Sequence, residues 1–257
     1  MMFIDLNCDL GEGYGPYKIG RDEEIIPLVS SVNIACGYHA GDHSVMAKTI
    51  KMAKKHQVSI GAHPGYPDLQ GFGRRFIPMK SEEIFDMLVY QIGAISSMCK
   101  AYGTSLEHVK PHGALYNLAS VNPSVAEAIV QAIKAVDHSL ILFGLSGSVL
   151  SKIGEEHGLC VAHEVFADRT YQNNGMLTPR EQKNAVITDV EMASKRIKEL
   201  ISNGEMPTVS GKKIPLKVDT ICVHGDEDKA FIFLKKLRSQ LVSQGIDVRK
   251  VGEHHGT

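Results

Sequence analysis

Phe3-Ile-Asp-Leu-Asn-Cys-Asp-Leu10, running into Gly11-Glu12, opens the chain as a β-strand with two unlike faces. Successive strand side chains point to opposite sides, so Ile4, Leu6, Cys8 and Leu10 share one face and Asp5, Asn7 and Asp9 the other. The apolar face belongs against a core. A face of carboxylates and an amide costs free energy unless the groups are hydrogen-bonded, hold a cation or surround a substrate; a solvated edge strand is the plainer reading. Asp5 and Asn7 are the candidates for a site, whereas Asp9 and Glu12 lie further into the following loop and read as peripheral.

Outward from this strand, short apolar β-prone runs alternate with longer amphipathic ones, the pattern of β-α units around a parallel sheet. Strands are expected at Val32–Cys36, Val58–Ala62, Glu107–Lys110, Leu140–Leu145, Leu159–Val165 and Thr220–Val223, with a weak final one within Ile246–Val251. Helices are expected from Ser44 to His56, from an N-cap at Ser81 to Gly103, from Asn122-Pro123 to Ala135, and from Ala230 to Ser243. Thr178-Pro-Arg-Glu181 has the form of a capping box and predicts a long helix to Ser202, stopped by Gly204. A small hairpin is expected near 207–218, turning at Ser210-Gly211, and no Pro/Ser/Gly-rich linker divides residues 1–257, so a single domain is expected.

Polar residues fall at the ends of the strands: Asp5 and Asn7, Asn33 and His39, His63, Lys110 and His112, Glu164 and Asp168, and His224. In a β/α barrel the C-terminal strand ends converge on one mouth, where active sites lie. A doubly wound sheet draws instead on the few strands beside its switch point. So many separate contributions favour the α/β barrel, with the doubly wound sheet as the alternative.

Composition narrows the function classes. The net charge is −1 with both signs interspersed, so no basic stripe for nucleic acid is present. The five cysteines include no Cys-x-x-Cys pair, which argues against a disulfide framework and points to a reducing cytoplasm. The longest apolar stretch, about Ile141 to Leu150, is too short to span a membrane, and no basic segment with a cleavable apolar run precedes the first strand. Gly11-Glu-Gly-Tyr-Gly15 and Gly71-Phe-Gly-Arg-Arg75 lack the spacing of a nucleotide fingerprint, so no cofactor-binding motif is found in the chain. Arg74 and Arg75 form either a clamp for a substrate carboxylate or an exposed loop pair. His39 and His43 have His-x-x-x-His spacing, but Gly41-Asp42 between them favours a loop over a metal-binding helix face, and a divalent metal stays an open question. Cys8, Cys36 and Cys222 read as inert buried thiols.

Six motifs in order then carry a resemblance: Asp5-Leu-Asn-Cys-Asp-Leu-Gly-Glu12, Asn33-Ile-Ala-Cys-Gly-Tyr-His-Ala-Gly-Asp42, Gly61-Ala-His-Pro-Gly-Tyr-Pro-Asp68, Lys110-Pro-His-Gly-Ala-Leu-Tyr116, Glu164-Val-Phe-Ala-Asp-Arg-Thr-Tyr171 and Cys222-Val-His-Gly-Asp226. Over nearly its whole length the chain resembles the LamB/YcsF family. The resemblance implies a distorted seven-stranded β/α barrel and the ATP-dependent opening of 5-oxoproline to glutamate with two partner subunits, B and C. In that scheme ATP is used by the complex, the partners activate the lactam by phosphorylation, and this chain hydrolyses it. His43 stands where the family has proline, and Asp226-Glu-Asp-Lys229 replaces a Thr-Pro-containing turn; both lie beside the motifs. A more distant likeness to metal-dependent carbohydrate deacetylases supplies one alternative function, and non-catalytic binding of the lactam for the partners supplies another.

Opening a lactam needs an activated water, a stabilised oxyanion and a protonated leaving nitrogen. On this reading Asp5 or Asp168 is the base and His112 or His63 the acid, while Lys110 and Arg169 stabilise negative charge. Asn7, His39, Glu164 and His224 orient these groups or bind substrate, with Arg74 available for its carboxylate.

Overall fold

Both faces of the opening strand are buried. Ile4, Leu6, Cys8 and Leu10 face the apolar core, yet Asp5, Asn7 and Asp9 are also at most 7% exposed, so the edge-strand alternative is excluded. Burial on both sides is the signature of a parallel sheet with helices outside and a filled centre. The structure, a computed structural model, describes residues 2–224 and 230–252, with the side chains of Met2 and His224 outside that set.

Along the chain the elements are β1 (Met2–Leu10), α1 (Asp22–Ile25), β2 (Ser31–Ala35), α2 (His43–Lys55), β3 (Ser59–His63), α3 (Ser81–Ala101), β4 (His108–Val109), α4 (Gly113–Ala119) and α5 (Pro123–Val136). They continue with β5 (Ile141–Leu145), α6 (Val149–Glu156), β6 (Val161–Phe166), α7 (Val190–Asn203), the antiparallel pair β7 (Glu205–Pro207) and β8 (Lys213–Pro215), β9 (Thr220–His224), α8 (Ala230–Ser243) and β10 (Ile246–Val248). The sheet order β1-β2-β3-β4-β5-β6-β9 closes when β9 pairs back onto β1, Asp5 opposite Thr220 and Asp9 opposite His224. All these pairings are parallel, which makes a closed seven-stranded barrel. β10 adds to the N-terminal end of β1, pairing Met2 with Ile246. Among the described residues no helix is long and apolar enough to cross a membrane.

Local chemistry sets the helix ends. Asp42 caps α2 by accepting the N–H groups of Ser44 and Val45, and Asn122 caps α5 by accepting that of Val125, with Pro123 in the first turn. Ser81 is not the cap of α3: Lys80 takes that position, and its backbone N–H donates to the Glu83 carboxylate at 2.7 Å. The larger correction concerns Thr178-Pro-Arg-Glu181, which starts no helix. The Thr178 hydroxyl accepts from Thr170 at 2.8 Å, and its N–H donates to the Thr170 carbonyl at 3.0 Å. The groups a capping box would use are thus spent on folding the segment back against the end of β6. α7 begins only at Val190, where the Asp189 carboxylate accepts from Glu191 and Met192, and it does stop at Gly204 in the left-handed conformation (φ 70°).

Candidate active site

The barrel interior carries polar side chains that satisfy one another. Asn7 donates through Nδ2 to Glu164 Oε1 at 3.0 Å and to Thr220 Oγ1 at 2.7 Å, and accepts at Oδ1 from Asn33 at 2.8 Å. Asn33 also donates to Asp9 Oδ1 at 2.8 Å and accepts from His108 Nε2 at 2.8 Å. Burial, aided by the charge of Lys110, pushes His108 down to about 3, so it is a neutral donor.

At the centre stands Lys110, just past β4 and only 2% exposed. Its Nζ lies 2.9 Å from Asp9 Oδ1, 2.9 Å from Glu164 Oε1 and 3.0 Å from Cys222 Sγ. Burial opposes the charge, but Asp9 above all, with Cys222 and Glu164, holds the ammonium well above its ordinary range. Tyr116, on α4, donates its hydroxyl to Glu164 Oε2 at 2.6 Å. Burial, reinforced by that carboxylate, raises the phenol well above 10.0, so it stays a donor.

Three histidines and an acid lie beside this cluster. His63 ends β3, and its Nε2 is 3.4 Å from Asp9 Oδ2 and 2.9 Å from His112 Nδ1. His112, the N-cap residue of α4, donates from Nε2 to the Phe72 carbonyl at 2.7 Å. His39 stacks face to face on His112, ring centroids 3.7 Å apart, and its Nε2 lies 3.9 Å from Glu12 Oε1. Burial holds both His39 and His112 well below 6.5. The loops are built for this approach. At Gly73 (φ +63°) a Cβ would stand 2.7 Å from the His39 Cβ and 2.8 Å from His112 Cδ2. Gln91 of α3 clamps Gly65 through both of its backbone groups, at 3.0 Å each, which fixes the loop after His63.

Asp9, His63, Lys110 and His112 line a cavity of about 420 Å³. Its apolar lining includes Leu145, Phe166 and Leu177, and three arginines, Arg74, Arg169 and Arg180, line it as well. Arg169 is held by the carbonyls of Thr178 (2.5 Å) and Ala185 (3.3 Å), so the segment expected to be helical forms a wall of the cavity instead. Arg75 pairs with Asp68, and of the two arginines Arg74 is the one that lines the cavity, which leaves it as the clamp candidate.

The structure brings together His63, His112, His39, Lys110, Glu164 and Asn7, with Arg74 and Arg169 on the cavity. It does not bring Asp5. That carboxylate accepts from Ser30 and Ser31 at 2.7 Å each and from Thr220 at 2.5 Å, at the closed N-terminal end of the barrel. Four residues of strand, about 13 Å, separate it from the height of Asp9. Asp168 lines a second cavity, with Val186, Ile187 and Phe233, and not the one beside the histidines. His224 ends β9, but its side chain, like Asp226, lies outside the described residues. His43 is exposed at the start of α2, so the His39/His43 pairing is not formed. Missed by the sequence reading were Asp9 and Glu12, both buried against the histidines, and Tyr116. Asp9 shares the parity of Asp5 and Asn7 but sits nearer the C-terminal end of its strand, which was the available signal.

Carboxylate, ammonium and imidazoles in an arginine-lined cavity suit acid–base chemistry on a small anionic molecule. A protein of Halalkalibacterium halodurans named as the A subunit of 5-oxoprolinase is 51% identical over 253 residues, 98% of each chain. Its namesake in Bacillus subtilis is 51% identical over 257 residues, the whole of both chains. A crystal structure of a lactam utilization protein from Thermus thermophilus superposes with a TM-score of 0.92 at 42% identity, covering 96% of this chain and 99% of that one. The family model described as LamB/YcsF matches residues 4–256. With that span and those identities, the chain belongs to the LamB/YcsF family.

Proposed function

We propose that the chain is the lactam-opening component of an ATP-dependent 5-oxoprolinase that works with subunits B and C. The observation that carries the reading is the cavity itself: it is lined by the paired Asp9 and Lys110 and by three arginines, in a chain about half identical to proteins named as the A subunit of 5-oxoprolinase. 5-Oxoproline presents a carboxylate and a ring amide. Arg74, Arg169 and Arg180 meet the carboxylate, or a phosphate placed on the activated lactam. Asp9 accepts a proton from the attacking water and returns it to the ring nitrogen as the C–N bond breaks; the Lys110 ammonium, 2.9 Å from Asp9, offsets negative charge developing on the former carbonyl oxygen. ATP use belongs to the partners in this scheme.

The test is glutamate release from 5-oxo-L-proline and ATP in the complex reconstituted with B and C. Asp9→Asn is expected to lower kcat by at least about 100-fold, the usual contribution of a positioned base. Glutamate formed by B and C alone, or full activity of the variant, would remove the reading and leave a lactam-binding role.

A further inference from the structure

Two buried imidazoles each have one nitrogen committed. His63 Nδ1 stands 2.7 Å from the Lys110 carbonyl, and His112 Nε2 stands 2.7 Å from that of Phe72. A carbonyl only accepts, so in each neutral ring the proton sits on that nitrogen. His63 Nε2 and His112 Nδ1 therefore turn lone pairs toward each other at 2.9 Å. Such a pair holds together around a positive species, either a shared proton or a cation. Neither ring nitrogen of His39 has a hydrogen-bond partner among the described residues, although the ring is 1% exposed and Nε2 looks toward Glu12. A buried imidazole without partners is costly unless a ligand completes it.

We propose that Glu12, His39, His63 and His112 bind a divalent transition cation of the zinc class. One donor atom from each falls within 4.8 Å of the other three, and all four side chains are buried. Three imidazoles and one carboxylate form a donor set that suits zinc and its neighbours and not magnesium or calcium. A tetrahedral ion with bonds of about 2.1 Å spaces its ligand atoms about 3.4 Å apart. His63 Nε2 and His112 Nδ1 stand 2.9 Å apart, and no two of the four donor atoms are more than 4.8 Å apart, so small side-chain movements reach that spacing. The two backbone carbonyls behind His63 and His112 are the outer-shell acceptors that fix ligand tautomers in metal sites. This geometry is independent of the oxoprolinase reading, since its test reads bound metal and not glutamate.

The chelator-stripped chain is titrated with Zn2+ by equilibrium dialysis, and in parallel with Co2+, whose visible spectrum reports four-coordinate ligation. About one equivalent per chain is expected, with affinity lowered at least about 100-fold in His39→Ala and His63→Ala and unchanged in the exposed control His43→Ala. Absence of uptake by the wild type, or equal uptake by the variants, overturns the site and assigns the 2.9 Å contact to a shared proton. Should circular dichroism show the alanine variants unfolded, Glu12→Gln decides by the same criterion: weakened binding supports the site, unchanged binding overturns it.

Discussion

Lys110 Nζ stands 2.9 Å from Asp9 Oδ1, joining residues 101 apart in sequence inside the barrel. Lys110 also neutralises Glu164, so its removal strands two buried carboxylates. Lys110→Met is expected to destabilise the fold by about 3–5 kcal/mol, the cost of breaking a buried pair. Urea denaturation measures it, and a loss under about 1 kcal/mol would show that the charges are solvated or already neutral.

Asp5 contributes to stability with the opposite pH sign from an ordinary paired carboxylate. Burial raises it from 3.8 to about 6, against the hydrogen bonds from Thr220, Ser30 and Ser31 that lower it, with Glu164 adding a smaller push upward. The folded state then holds its proton more tightly than the unfolded one. The resulting stabilisation is complete below about 3.8 and disappears as pH rises through about 6. Between those limits the wild type should lose about 3 kcal/mol relative to Asp5→Asn, which does not titrate. Thermal melts of both proteins from pH 4 to 8 check this, and a difference that stays flat with pH would contradict it.

Gly73→Ala places a methyl within 2.7 Å of the His39 Cβ at a backbone φ of +63°. Strain of about 1–3 kcal/mol is expected, together with separation of His39 from His112. Melting temperature and glutamate release in the reconstituted complex should both fall. Wild-type values for both would mean that the loops yield freely.

Arg74 lines the cavity from an exposed loop, where it also lies over the Phe72 ring at 4.9 Å. If it holds the substrate's carboxylate equally in ground and transition states, Arg74→Met raises KM by about tenfold or more and leaves kcat near the wild-type value. Steady-state kinetics over 5-oxoproline concentration separate the two parameters. A kcat defect at unchanged KM would place Arg74 in the chemical step instead.

Much of the site could be read without coordinates. His63, Lys110 and His112 each follow or end an apolar strand and Glu164 lies two residues before the end of one, and strand ends in a parallel barrel meet at one mouth. Asp168 looked equivalent by the same rule, yet the chain turns after Phe166 and sends it to the second cavity. The helix expected from Thr178 failed for a related reason: a capping box is a local preference worth about 1 kcal/mol, and the hydrogen bonds of Thr178 to Thr170 outweigh it.

By itself the sequence determined that β and α segments alternate, that the strands bear one polar face, and that those faces share a barrel. Alternation specifies the side of a strand on which a residue lies but not its height, so Asp5 and Asp9 were interchangeable on that basis. Height comes from pairing between distant strands, and the register of β1 with β9 puts Asp5 at Thr220 and Asp9 at His224. The register thus brings Asp9 to His63, a height that its place near the C-terminal end of the strand only suggested, and the close packing of Gly65 and Gly73 sets His39 against His112, with Glu12 in the same cluster.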